Sequence, residues 1–130
     1  MRPKSPFDEN CRNIRELVYA AAARCPENNA FKIKVNGEIK SVTFTQVIEN
    51  LEALGTELKA RGFDGCSMGI IGENSYPWYS CFLSVVCGGN VAVPLDKGFT
   101  PEELESSIIR SRIRVLFYDE KMKKLVDQVR

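Results

Sequence analysis

The sequence predicts an α/β fold in which an amino-terminal helix and a β-hairpin precede an incomplete parallel βαβαβα layer. Three observations carry that expectation. Apolar residues recur at helical spacing over residues 14–25 and again over 47–58, and an Asn36-Gly37 dipeptide joins two short alternating runs between them. From residue 67 onward, short apolar runs alternate with helical stretches, the pattern of parallel strands joined by crossover helices. At 130 residues and 44% hydrophobic content the chain suffices for one core and is short for two, so a single domain is expected, with residues 1–10 as a leader and 11–130 as the folded unit.

Each element has a local cause. Residues 1–10 hold Pro3 and Pro6 among mixed charges, which suits an extended leader. Ile14, Leu17, Val18, Ala21 and Cys25 mark one helical face, and Pro26 stops the helix. Residues 30–35 and 39–44 alternate around Asn36-Gly37, a pair that tolerates the positive φ values of a type I′ turn. Thr43 with Gln46 forms a capping-box signature before a long helix whose inner face is Val47, Ile48, Leu51, Leu54, Gly55 and Leu58, ended by Gly62.

The parallel layer then begins. Residues 67–72 read as its first strand, and Asn74-Ser75-Tyr76-Pro77 opens a helix through Val86 with so little polar face that burial on several sides is expected. Gly88-Gly89 ends it. Residues 90–95 form the second strand, closed by Pro94, and Thr100-Pro101-Glu102-Glu103 starts a helix packed through Leu104, Ile108 and Ile109. Residues 114–118 are a third, buried strand, and residues 119–130 a final helix with Met122, Leu125, Val126 and Val129 inward.

Composition narrows the chemistry. Eighteen Lys and Arg balance 17 Asp and Glu, leaving no charge excess to hold nucleic acid or an anionic membrane. The absence of histidine removes Ser/His and Cys/His nucleophilic pairs, histidine bases and histidine metal ligands together. Five widely spaced cysteines (Cys11, Cys25, Cys66, Cys81, Cys87) contain no Cys-x-x-Cys pair and read as small buried apolar residues. The leader lacks the apolar core of a signal peptide, no run is long enough to span a bilayer, and a reducing cytoplasm is the expected location.

A phosphate loop needs clustered glycines after a strand. Gly62 with Gly65, Gly69 with Gly72, and Gly88-Gly89 are the candidates, and none fits a nucleotide-binding motif, so all are read as structural. Open parallel sheets bind ligands beyond the carboxyl ends of their strands. That rule places Glu73-Asn74, Asp96-Lys97 and Asp119-Glu120 on one rim, where Asn74 or Ser75, Thr100 and Asp119 also qualify as plain helix caps. Arg110, Arg112 and Arg114, and Lys121, Lys123 and Lys124, alternate with apolar residues and read as solvated surface; Trp78, Tyr76 and Tyr79 beside Phe82 read as core in preference to a base-stacking platform.

Four stretches together carry a resemblance. Val42-Thr43-Phe44-Thr45-Gln46-Val47 with the helix from Leu51 to Gly62, Gly65-Cys66-Ser67-Met68-Gly69-Ile70, Gly72-Glu73-Asn74-Ser75-Tyr76-Pro77-Trp78, and Cys87 through the Val93-Pro94-Leu95-Asp96 segment are the four. In that order they resemble the amino-terminal region of the AMP-forming adenylating superfamily. Cys66 stands where an acid is usual and Pro77 where another is common, while the Gly-Glu-Asn turn and Val-Pro-Leu-Asp-Lys look most like long-chain fatty acyl-CoA synthetases.

The resemblance implies an ATP-dependent carboxylate–CoA ligase as the parent protein, with this chain a scaffold portion of its AMP-binding domain. It implies ATP, Mg²⁺ and coenzyme A as the parent's cofactors and a fatty acid or other carboxylate as its substrate. The family's Ser/Thr/Gly-rich phosphate loop, nucleotide contacts and mobile lysine-bearing domain lie further along than the four matched stretches. No catalytic, cofactor-binding or metal-ligating residue is therefore assigned here, the chain alone is expected to be inactive, and self-association through open sheet edges is expected. A stand-alone flavodoxin-like or receiver-like module acting through the rim carboxylates, and a purely structural interaction domain, are the alternatives.

Overall fold

A computed structural model describes residues 11–129; the expected leader, residues 1–10, and Arg130 lie outside the described residues. Helix α1 (Ile14–Arg24) opens with the Asn13 side chain accepting the Glu16 amide. Strands β1 (Asn29–Val35) and β2 (Glu38–Thr43) pair antiparallel, and Asn36 and Gly37, with φ of 51° and 82°, make the turn between them. Both φ values are positive, as a type I′ turn requires. Helix α2 (Phe44–Ala60) starts with the expected capping box, in which Gln46 N donates to Thr43 Oγ1 at 3.2 Å and Thr43 N to Gln46 Oε1 at 2.9 Å.

Strand β3 (Ser67–Ile71), helix α3 (Tyr76–Cys87), strand β4 (Val91–Leu95), helix α4 (Pro101–Arg110) and strand β5 (Ile113–Tyr118) complete the layer. The three strands are parallel in the order β4-β3-β5. From β3 the chain crosses outward to β4 and then back over β3 to β5, so right-handed crossovers put α3 and α4 on opposite faces. Side-chain alternation along β3 agrees with this. Met68 packs with Leu58 of α2 and Val85 of α3, whereas Ile71 packs with Leu104 of α4 and with Val126. A third cluster, Val42, Val47, Leu51 and Cys87, ties the hairpin to α2 and the end of α3.

Several expectations are corrected. The final helix expected over residues 119–130 is instead a 3-10 turn, Glu120–Met122, followed by α5 (Lys123–Asp127). The Met122 amide is drawn to both Asp119 Oδ1 (3.1 Å) and Asp119 O (3.0 Å), which tightens the first turn. Pro94 lies within β4 and does not close it. Val91 N donates to Cys66 O at 2.9 Å, so the amides of Val91, Val93 and Leu95 face β3 while position 94 faces outward, where a missing N–H costs no ladder bond. Asn90 precedes that strand, and its Oδ1 accepts the Cys66 amide at 2.9 Å.

Burial is also lighter than expected. No residue of α1 is fully buried, with Ile14 and Leu17 both 43% exposed, because only the Val18 and Tyr19 side meets the core. In α3, Tyr79 is 41% exposed, since α2 and the β3–β4 part of the sheet cover only one side of the helix. Strand β5 is half-buried because it is an edge. Of the cysteines only Cys66 and Cys87 are buried; Cys11, Cys25 and Cys81 are half-buried, and all five are free thiols.

Gly55 gives a direct test of α2 packing. A Cβ built there meets nothing within 4 Å. Gly55→Ala is therefore expected to raise unfolding stability by about 0.5–1 kcal/mol through helix propensity, read as a higher urea midpoint with an unchanged slope.

Candidate functional site at the carboxyl ends of the strands

The switch in crossover direction opens a crevice beside β3 and β5, at the end of the sheet where open α/β folds bind ligands. Its volume is about 140 Å³. Ile70 and Phe117 form its floor, Trp78 and Cys81 of α3 its wall, and Glu73 and Asp119 its polar mouth. Trp78 is held by stacking on Phe82, with centroids 5.7 Å apart and planes 11° apart, and by an edge contact with Tyr79. Phe31 of the hairpin lies against Tyr76 at 5.1 Å and Tyr79 at 5.7 Å, so these two tie α3 to the hairpin, while none of the four aromatic residues of α3 is fully buried as a core reading would have them. Burial pushes the Cys81 thiol above its ordinary range, which keeps it protonated and part of the apolar lining.

The rim residues are brought together in part. Asp119 Oδ2 accepts the Glu73 amide at 2.9 Å while Oδ1 accepts the Met122 amide, so one carboxylate fastens the loop after β3 to the turn after β5. Glycine is required at position 72 for this closeness: a Cβ there would stand 2.8 Å from Asp119 Oδ2. Lys97 Nζ pairs with Glu73 Oε2 at 3.2 Å, linking the loops after β4 and β3, with both side chains about half exposed. Asp96 stands apart and turns back on its own loop, accepting the Gly98 amide at 2.8 Å. Ser75, not Asn74, caps α3, accepting the Trp78 amide at 3.4 Å. Thr100 and Glu103 form the second capping box.

The capping reading of the rim thus holds, and what sequence reasoning missed is the reach of Asp119 across 46 residues to Glu73. Asp119 already has backbone partners at both oxygens, Glu73 an ammonium and Asp96 an amide. Among the described residues no group of three or more His, Cys, Asp or Glu is placed to hold a metal ion.

A larger cleft of about 350 Å³ lies between α1, α2 and the end of α3, near the amino ends of the strands. Part of its polar lining is paired within the cleft. Arg15 Nη1 donates to Cys87 O at 2.6 Å, closing the carboxyl end of α3, and its guanidinium lies 5.0 Å from the Tyr19 ring centroid. Tyr19 donates to Glu52 Oε1 at 2.9 Å; burial and that carboxylate raise the phenol further, so it stays neutral. This network anchors α1, which buries no residue fully of its own.

All six residues of the basic clusters are exposed, as expected. Lys123 pairs with Asp127 at 2.6 Å and Arg110 Nη2 bonds Ser106 Oγ at 3.2 Å, both on the surface. Arg114, exposed as well, lies over the Phe63 ring at 5.4 Å, with Nη1 3.5 Å from Cys66 Sγ. Among the described residues no helix is long and apolar enough to cross a membrane.

The sheet order and the crevice define an open, doubly wound α/β layer preceded by a helix and a hairpin. The chain belongs to the AMP-binding enzyme family, which it matches over residues 18–130. It is 25% identical over 99 residues to a polyketide synthase-nonribosomal peptide synthetase of Aspergillus flavipes, covering 75% of this chain and 2% of that protein. Its fold is similar to a fatty acid AMP ligase from Legionella pneumophila (TM-score 0.78, 17% identity, 95% of this chain and 22% of that one). It is similar also to the anthranilate CoA ligase AuaEII (TM-score 0.76, 23% identity, 90% and 22%). A fatty acyl CoA synthetase of Mycobacterium tuberculosis matches too (TM-score 0.78, 20% identity, 92% and 24%). The chain therefore spans about a fiftieth of the curated relative and under a quarter of these solved chains, and its fold corresponds to part of an adenylating-enzyme domain. The strand order also suits a flavodoxin-like module, but the family match and the backbone-bound rim carboxylates do not favour that reading.

Proposed function

We infer that this chain is the scaffold portion of an AMP-binding domain in an ATP-dependent, adenylate-forming ligase, with residues 11–130 as that portion and residues 1–10 as its leader. The carrying observation is the family match over residues 18–130. In the parent, a carboxylate attacks ATP to give an acyl-adenylate and pyrophosphate, and a thiol then takes the acyl group as a thioester and releases AMP. The substrate proposed is a long-chain fatty acid and the thiol coenzyme A, on the Gly72-Glu73-Asn74 turn and the Val93-Pro94-Leu95-Asp96-Lys97 run. The fatty acid ligase and fatty acyl CoA synthetase among the similar folds support that branch; the anthranilate ligase and the peptide synthetase mark its competitors.

In this reading the chain's contribution is positional. Asp119 and Lys97 fix the loops at the carboxyl end of the sheet, and the ATP, Mg²⁺ and coenzyme A contacts are made by polypeptide outside this chain. No catalytic residue is assigned to it, and a cytoplasmic location is proposed with the enzyme.

The test begins at the coding sequence. Reading past the Arg130 codon is expected to show an open frame entering a Ser/Thr/Gly-rich loop that ends in Pro-Lys. The whole product is then expected to exchange labelled pyrophosphate into ATP when given a long-chain fatty acid, and the 130-residue chain is expected to give none. A stop codon directly after Arg130 overturns the reading. Exchange with an aryl or amino acid alone keeps the ligase and replaces the substrate.

A further inference from the structure

The cleft of about 350 Å³ between α1, α2 and the end of α3 has the size of a small-molecule site, and all its lining lies between Arg15 and Asn90. Four charged side chains face it, Arg15 and Lys59 against Glu52 and Asp64, so the lining is neutral overall. Among the described residues none of the four forms an ion pair. Tyr19 stands between two of them, with the Arg15 guanidinium on its ring and its hydroxyl donated to Glu52. Helix α2 supplies the floor. Glu52, Gly55, Thr56 and Lys59 recur at three- and four-residue spacing, hence on one face, which sets a carboxylate and an ammonium about two turns apart with a gap between them. The gap is Gly55. Glycine is unfavourable inside a helix, and the packing does not require it here, since a Cβ would meet no atom within 4 Å. A bare stretch of backbone facing a cleft lets a ligand lie close against the helix.

We propose that this cleft binds a small zwitterion, an α-amino acid with a large apolar side chain, lying across Gly55. Its carboxylate is met by Arg15, whose guanidinium keeps further N–H donors after the bond to Cys87 O. Its ammonium is met by Glu52, which uses only Oε1 for Tyr19. The apolar side chain lies along the bare backbone at Gly55, against Leu51 and Phe63. A singly charged ligand would bring one attraction and one repulsion to a neutral lining, whereas a zwitterion meets both signs. Lys59 and Asp64 complete that balance, and their side chains have no hydrogen-bond partner among the described residues.

The test is an amide NMR titration of the 130-residue chain with L-phenylalanine. Saturable shifts are expected at residues 15–19, 52–59 and 87–90, with Kd below about 1 mM. Two analogues keep the ring and remove one charge each. Both 3-phenylpropionate, without the ammonium, and phenethylammonium, without the carboxylate, are expected to bind about tenfold more weakly or worse. Gly55→Leu sets a side chain in the cleft and is expected to abolish binding with the fold intact. Glu52→Gln keeps an acceptor for Tyr19 and is expected to weaken binding about tenfold. The analogue series needs no variant and so stands even if Gly55→Leu fails to fold. No saturable shift up to about 10 mM L-phenylalanine overturns the proposal. Equal binding of either analogue does so too, as do shifts that gather at the rim around Glu73 and Asp119, or binding that Gly55→Leu leaves unchanged. None of these results bears on the ligase reading, which the coding sequence and the pyrophosphate exchange decide.

Discussion

Leu104→Ala is expected to destabilise the chain by about 2–5 kcal/mol, lowering the thermal midpoint by about 10 °C. Leu104 is the one fully buried residue of α4 and has no exposed surface. It packs with Ile71 at the end of β3 and with Val126 of α5, and the half-buried Leu95, Leu116, Met122 and Leu125 surround that group. Truncation there leaves a cavity lined from β3, β4, β5, the 3-10 turn and α5. Of these, α5 is held mainly through this cluster, whereas β5 is fixed to β3 by its ladder. Ile109 on the same helix provides the control: it is 69% exposed, and Ile109→Ala is expected to stay within about 0.5 kcal/mol of the parent. Equal losses for the two, in urea melts with matching slopes, would show that α4 is not fastened through Leu104.

The same helix illustrates what sequence makes legible. Thr100 and Glu103 announce the capping box because a cap is chemistry between residues three apart, and Leu104 follows from helical spacing. Ile109 was expected inward with it, yet only the Leu104 side meets the sheet. Asn36-Gly37 was readable for a comparable reason, since chirality alone restricts which residues accept two consecutive positive φ values. Features that depend on sheet order were not readable. Gly69 has no local signature, and its reason appears only in three dimensions: a Cβ would meet Ile113, Leu116 and Leu95 from both neighbouring strands at 3.0 Å. Pro94 reads as a terminator until the ladder shows it on the outward side of β4. At the candidate site the rim residues were legible from the rule for parallel sheets, and their partners were not, because Asp119 and Glu73 meet only once β5 lies beside β3.

Asp119 supplies the second large effect, and it is expected to be coupled to Gly72. Asp119→Ala leaves the Glu73 and Met122 amides without their carboxylate and is expected to cost about 1–3 kcal/mol, less than two fully buried losses because the site is half open to water. Gly72→Ala brings a methyl group to 2.8 Å from Asp119 Oδ2, so the carboxylate must withdraw, and a cost of similar size, about 1–3 kcal/mol, follows. The methyl group harms the fold mainly through the carboxylate it displaces. In the double variant that carboxylate is already gone, and the combined loss is expected to fall short of the sum by about 1–2 kcal/mol in a double-mutant cycle from urea unfolding. Trp78, the only tryptophan, lines the crevice behind this clamp and reports on it separately. Its emission is expected to shift to the red in Asp119→Ala, as water enters beside the loosened Glu73 loop, and to stay unchanged in Gly55→Ala, whose site lies on another helix. An additive cycle with unmoved Trp78 emission would mean that Asp119 serves only as the cap of its own turn and does not hold the loop after β3.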